Sequence, residues 1–147
     1  MRISGVLTCS LVNGEGIRYV IFTQGCAHRC EGCQNPDTWD LKGGYDVDVS
    51  DLAMDILNRR KHLDGITLSG GDPFYQQDEC CRLLQMLPGM NVWIYTGFNY
   101  EDICNTDLAK MADVIVDGPF KEEFRCEGQY FGSSNQRIIR RKNEELT

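Results

Sequence analysis

Apolar positions along the chain fall into short dense runs separated by amphipathic stretches. "IRYVIFTQG" (17–25), "GITLSGG" (65–71), "NVWIYTG" (91–97) and "DVIVDGPF" (113–120) are rich in β-branched and aromatic residues, and each ends in Gly, Pro or the residue beside one. They read as buried strands. Between them, "VSDLAMDILNRRKHL" (49–63) repeats its apolar residues at helical spacing, with Ser50 as the expected N-cap and Leu52, Ile56, Leu57 and Leu63 on one side. "YQQDECCRLLQML" (75–87), which stops before Pro88, and "NYEDICNTDLAKMA" (99–112) have the same character. Strand and helix in alternation predict a parallel sheet with right-handed crossovers. Four or five such units are too few to close an eight-stranded barrel. The expected fold is therefore α/β, a partial, open (βα) barrel of parallel strands, in a single domain spanning 1–147. Ligands in such folds gather at the carboxyl ends of the strands.

Two turns with unusual chemistry stand at those ends. Cys26, Cys30 and Cys33 lie within eight positions directly after the first predicted strand. Thiolates so close together can wrap one side of a compact metal site. A structural zinc would need a fourth ligand, from His28 or one of Cys9, Cys80, Cys81, Cys104 and Cys126. An iron–sulfur cubane held by three thiolates leaves one iron open to an outside group. Spacing alone does not choose between them. The second turn, "SGGDP" (69–73), pairs glycines that let a backbone approach a ligand with an acid, Asp72, able to receive an ammonium or hydroxyl. The plainer reading is a Gly-rich turn that caps a helix.

Composition narrows the setting. Eight cysteines in 147 residues fall short of a disulfide scaffold, and no leader-like or membrane-spanning apolar stretch is present. A cytoplasmic chain with reduced thiols is expected. The net charge of −7 argues against broad nucleic-acid binding, which depends on Lys and Arg.

The cysteine triplet followed by Ser69-Gly70-Gly71-Asp72-Pro73 resembles the radical S-adenosylmethionine superfamily. Within it, "NGEGIRYVIFTQGCAHRCEGCQNPDTWD", "ITLSGGDPF", "VWIYTGF", "VDGPF" and "FGSSNQRII", in that order, resemble the glycyl-radical activases of anaerobic ribonucleoside-triphosphate reductases. The resemblance implies that Cys26, Cys30 and Cys33 hold one 4Fe-4S cluster, whose fourth iron binds the methionyl amino and carboxylate groups of S-adenosylmethionine. It further implies that Gly70, Gly71 and Asp72 receive the methionyl ammonium, and that Gly32 and Gln34 flank the last cysteine near the adenine. Thr96 and Asp117 match positions near the nucleoside or methionyl moiety. Asp72 stands where many relatives carry Glu, Pro119 where some have Lys, and Glu15 where relatives often have Pro.

The implied activity is reductive cleavage of S-adenosylmethionine, followed by hydrogen abstraction from a glycine of the reductase. No catalytic side chain is implied beyond cluster and cofactor. The implied partners are the glycyl-radical subunit of the reductase and a low-potential donor such as flavodoxin. Two alternatives stand beside this reading: another small radical S-adenosylmethionine enzyme, or a zinc-binding module without catalysis. Cys80, Cys81 and Cys104 fit helix interiors as small hydrophobes. Trp39, Trp93 and Tyr95 fit packing as well as substrate contact. Arg137, Arg140, Arg141 and Lys142 read as a basic tail, either solvated or docked on an acidic surface.

Overall fold

A computed structural model describes residues 1–25, 44–119, 121–124, 126, 130, 133 and 135–141. The elements run β1 (Arg2–Ser10), β2 (Arg18–Thr23), β3 (Tyr45–Asp46), α1 (Val49–Arg59), β4 (Gly65–Gly70), α2 (Gln77–Gln85), β5 (Asn91–Tyr95), α3 (Tyr100–Ile103), α4 (Asp107–Met111), β6 (Val114–Asp117) and β7 (Arg137–Arg140), with short 3₁₀ turns at 60–62, 73–76 and 122–124. The seven strands form one sheet in the order β3-β1-β2-β4-β5-β6-β7.

The four runs read from the sequence are β2, β4, β5 and β6, and they pair in parallel as expected. The sheet as a whole is mixed, which corrects the expectation of parallel strands only. β1 and β3 add antiparallel strands on one side and β7 does so on the other. The missed strands lie beyond the regular alternation. β1, "RISGVLTCS", carries Gly and hydroxyl residues and only partial burial, while β7, "RIIR", is charged at both ends.

The helices also differ in detail. Asp48, not Ser50, caps α1, accepting from the Ser50 and Asp51 amides, because its side chain precedes the first turn where the unpaired N–H groups point. α1 buries Val49, Leu52, Ala53 and Ile56, whereas Leu57 is largely exposed. The run 99–112 breaks into two short helices, with Thr106 capping the second through the Ala109 amide.

Pleating gives the sheet two unlike faces. Tyr19, Ile21, Ile66, Leu68, Val92, Ile94 and Ile115 point to one side and pack against Leu52, Ile56, Leu83, Leu84 and Leu108 of the helices. Trp93, Val114 and Val116, with Tyr95 and Ile138 against them, point to the other, where no helix lies among the described residues. None of the described helices is long and apolar enough to cross a membrane.

Candidate functional site

The ends of β2 and β4 are sewn together by backbone. The Gly71 amide donates to the Thr23 carbonyl at 2.7 Å and the Asp72 amide to the Gly25 carbonyl at 2.9 Å. The Thr23 hydroxyl donates to the Ser69 carbonyl at 3.0 Å. Gly70 permits this closeness. Its φ is +97°, and a Cβ there would stand 2.4 Å from the Thr23 nitrogen. The Gly-Gly-Asp turn is thus bonded to the residue that precedes Cys26. Gly44 lies against Gln24 and the Ile3 carbonyl. Cys26, Cys30, Cys33, Gly32 and Gln34 lie outside the described residues, as do His28, Trp39 and Lys142.

Asp72 is fully buried. A carboxylate out of water is tolerated only when its oxygens are bonded. Here it accepts from the Phe74 amide (3.1 Å), from the Thr96 hydroxyl (2.9 and 2.8 Å to its two oxygens) and from the Gly97 amide (2.9 Å). Thr96 is fixed in turn by its amide bond to the Val116 carbonyl and by the Phe98 amide, which donates to its hydroxyl. The sequence-derived pair Asp72 and Thr96 is thus in direct contact, and the acid clamps the turn after β4 to the turn after β5.

Asp117 is a second buried clamp, at the end of β6, with a cation for partner. It is 1% exposed and accepts from the Tyr100 amide at 2.6 Å and from the Arg137 amide and Nε at 3.3 and 3.1 Å. Arg137 also bridges to Glu101, and the two carboxylates hold its guanidinium above its ordinary range. Asp117 therefore ties the start of α3 to β7. The arginines of the expected basic tail are engaged within the chain. Arg140 pairs with Glu15, and Arg141 donates to the Tyr100 hydroxyl at 2.7 Å. In the motif near the chain's end, Ser133, Asn135 and Gln136 bond back to 118–121: Ser133 Oγ accepts from the Lys121 amide, Asn135 donates to Pro119 O and Gln136 to Gly118 O.

The helix-free face holds Trp93 and Tyr95, which the sequence left between packing and substrate contact. Strand register sets Phe22, Ser69, Tyr95, Val116 and Ile138 in one row across it, level with the last residues before the turns. The Tyr95 hydroxyl in this row is buried and has no hydrogen-bond partner among the described residues, and burial pushes the phenol up. Deeper on the same face, Arg18 is 1% exposed. It donates to the Thr67 hydroxyl, to the Glu15, Ile66 and Asn91 carbonyls and to Asn91 Oδ1, and lies over the Trp93 ring at 5.6 Å. Desolvation lowers it to about 10, which leaves it charged at neutral pH. Its signal in the sequence is a cation opening a strand otherwise made of apolar and hydroxyl residues.

Cys80 is buried in the helix-side core, and burial raises its thiol well above the ordinary range, as suits a packing residue. Cys9 is exposed; Cys81, Cys104 and Cys126 are partly so, and all five are unbridged.

Comparison with known proteins adds to this geometry. A family model described as a 4Fe-4S single cluster domain matches residues 12–139. The chain is 35% identical to the anaerobic ribonucleoside-triphosphate reductase-activating protein of Enterobacteria phage T4, over 94% of this chain and 93% of that one. It is 33% identical to the protein of the same name from Salmonella typhi, over 92% of this chain and 96% of the other. For that of Escherichia coli (strain K12) the figures are 33%, 86% and 90%. The matched family decides for iron–sulfur where cysteine spacing left zinc open. With its likeness extending over nearly the whole of each relative, the chain belongs to the family of anaerobic ribonucleoside-triphosphate reductase-activating proteins.

Proposed function

We propose that this chain is a radical S-adenosylmethionine activase that generates a glycyl radical on an anaerobic ribonucleoside-triphosphate reductase. The observation that carries the reading is the direct hydrogen bonding of the Gly71 and Asp72 amides to Thr23 and Gly25. It supports the reading because the turn that the resemblance assigns to the methionyl ammonium is bonded to Gly25, the residue before Cys26. The described residues suit a polar small molecule there, since the buried Tyr95 hydroxyl in the row just before the turns lacks a partner.

In this reading Cys26, Cys30 and Cys33 hold the 4Fe-4S cluster as thiolates. Gly70 and Gly71 bring backbone to the methionyl ammonium, and Asp72, braced by Thr96 and Gly97, fixes the shape of that turn and supplies its negative charge. Gly32 and Gln34 flank the adenine. Thr96 acts through Asp72. Asp117 borders the nucleoside while holding α3 and β7. Cluster and S-adenosylmethionine together supply the one-electron chemistry: reductive cleavage of the sulfonium carbon–sulfur bond and removal of a hydrogen atom from a glycine of the reductase. The sheet is the wall of an open, partial barrel in a single domain over 1–147, working in the cytoplasm with a low-potential donor such as reduced flavodoxin.

The test is anaerobic incubation of the cluster-loaded chain with S-adenosylmethionine, a strong reductant and a candidate reductase. A glycyl doublet by electron paramagnetic resonance, with matching 5'-deoxyadenosine, is expected, and no doublet when the reductase glycine is changed to alanine. Equally fast 5'-deoxyadenosine formation without the reductase, with a small molecule altered instead, would replace this reading with that of another small radical S-adenosylmethionine enzyme.

A further inference from the structure

Gln76 ends the 3₁₀ turn that follows Asp72 and stands at the N-cap of α2. Ser, Thr, Asp or Asn at such a position bonds the free amides of the first helical turn. Gln76 does not: its side chain makes no capping bond, and its backbone, at φ −133° and ψ 48°, is neither helical nor extended. Its carboxamide is used elsewhere. Oε1 accepts from the Arg2 amide at 2.8 Å, while Nε2 donates to the Arg2 carbonyl at 2.7 Å and to the Gln24 carbonyl at 3.2 Å. These partners fix which end of the amide is oxygen, because the reverse orientation would set oxygen against carbonyls.

The bonds converge on the residues that lead into the cysteines. Ile3 lies opposite Thr23, which sets Arg2 opposite Gln24. In an antiparallel ladder such a facing pair can exchange two N–H···O bonds. Here the Gln24 amide donates to the Arg2 carbonyl at 3.0 Å, and the Gln76 carboxamide stands in the place of the other bond, taking the Arg2 amide and giving to the Gln24 carbonyl. On the side toward β4, the Thr23 carbonyl accepts from the Gly71 amide and the Gly25 carbonyl from the Asp72 amide. Successive carbonyls of an extended chain point to opposite sides, so backbone of one turn reaches 23 and 25 but not 24. A long side chain reaches the third. The stretch from Gly71 to Gln76 thus holds three consecutive carbonyls ahead of Cys26, and Gln24 is only 4% exposed.

We propose that Gln76 is a positioning residue for the reaction: it fixes the direction in which the chain enters the cysteine-bearing segment, and with it the place of the cluster relative to the Gly-Gly-Asp turn. The proposal rests on the function proposed above. In that reading the methionyl end of S-adenosylmethionine is held by iron and by the turn at once, so a small displacement of one against the other weakens both contacts. Gly25 is joined directly to Cys26, and each residue has only two soft torsions, so an anchor at 24 and 25 restricts the first ligand. A glutamine that leaves its own helix uncapped to make this anchor breaks a local rule, as residues kept for a site do.

The experiment compares Gln76→Met, which keeps the length and loses all three bonds, Gln76→Glu, which keeps only an acceptor for the Arg2 amide, and Thr106→Ala, which removes the cap of α4. Each chain is reconstituted anaerobically. Iron and sulfide per chain, the thermal midpoint, affinity for S-adenosylmethionine by equilibrium dialysis, and the electron paramagnetic resonance of the reduced cluster with and without S-adenosylmethionine are measured. Both Gln76 variants are expected to bind S-adenosylmethionine roughly tenfold or more weakly, and to lose most of the change it makes in the cluster signal. Thr106→Ala should lower the midpoint by a similar amount and bind as wild type. Loss of iron from a Gln76 variant whose midpoint matches that of Thr106→Ala would support the proposal equally, since the anchor precedes the first ligand. Wild-type iron, affinity and signal in both Gln76 variants would overturn it. So would losses that Thr106→Ala shares, or midpoints so low that neither Gln76 variant folds, either of which makes Gln76 a brace of the fold alone. A wild-type chain whose cluster signal does not respond to S-adenosylmethionine, and which raises no glycyl radical on the reductase, would instead overturn the function on which the proposal rests.

Discussion

The two faces of one sheet are built on different rules. Toward the helices, Ile21, Ile66, Leu68, Ile94 and Ile115 are all 0% exposed and meet other apolar side chains, so that face is uniform and its contribution is burial. On the helix-free side the corresponding positions hold Arg18, Thr67, Ser69, Trp93 and Tyr95, where a buried cation is held by carbonyls, a hydroxyl and an amide oxygen, and a buried phenol lacks a partner. A stability-driven interior avoids such groups. The difference separates an apolar face from one that holds charged and polar side chains, and the strand-end acids stand where the two meet.

The largest effect that tests this division concerns the cysteines. Replacing Cys26, Cys30 or Cys33 by Ala should abolish the cluster in each case, read as iron and sulfide per chain after anaerobic reconstitution, because two thiolates do not retain a cubane. Cys80→Ala, in the helix-side core, should keep its full iron and lose only about 1 kcal/mol of packing. A triplet variant with normal iron, or loss of iron in Cys80→Ala, would erase the distinction between a chemical and a packing set of thiols.

Next in size is the clamp at the strand ends. Asp72→Ala leaves the Phe74 and Gly97 amides and the Thr96 hydroxyl without their acceptor, and should cost ~3 kcal/mol by urea unfolding. On the proposed reading, affinity for S-adenosylmethionine should fall roughly tenfold to a hundredfold as the turn loses the carboxylate that shapes it and supplies its negative charge. Thr96→Val removes one donor and leaves the carboxylate two amides, so a cost of about 1 kcal/mol is expected. Unchanged cofactor affinity in Asp72→Ala would leave Asp72 a brace of the fold alone and move the ammonium site elsewhere.

What the sequence disclosed follows the same division. β2, β4, β5 and β6 were legible because both of their faces are buried, so each reads as a dense apolar run. β1 and β7 were not, since partial exposure admits Gly, Ser, Thr and Arg and dilutes the pattern. Asp72 and Thr96 were singled out through motif resemblance for separate ligand roles, and their contact is a tertiary fact: they lie 24 residues apart, and the parallel register of β4 and β5 joins them. Arg137, Arg140 and Arg141 read as a solvated or docking tail because sequence gives their sign and not their partners, Asp117, Glu15 and Tyr100.

The smallest effect is also the most direct comparison, because a strand tyrosine on each face has a hydroxyl that can be probed by the same substitution. On the helix side, Tyr19 is 1% exposed and its hydroxyl donates to Asp55 Oδ2 at 2.7 Å, a bond that holds the Asp55 carboxyl below its ordinary range. Tyr19→Phe removes a satisfied donor and leaves Asp55, which also binds Arg59, partly exposed to water that can replace the lost partner. The expected cost is about 1 kcal/mol. On the other side, the Tyr95 hydroxyl has been withdrawn from water without receiving a bond from the described residues. Tyr95→Phe keeps the ring and its packing beside Trp93, 6.5 Å between centroids, and deletes only the group whose desolvation is uncompensated. It should stabilise the chain without cofactor by about 1 kcal/mol, or raise the thermal midpoint by about 3 °C. Opposite signs for the same Tyr→Phe change, measured by urea and thermal unfolding side by side, are the signature of a face built for packing and a face that keeps a polar group ready for a ligand. If Tyr95→Phe instead lost as much stability as Tyr19→Phe, the hydroxyl would be bonded within the folded chain, and the helix-free face would be core like the other.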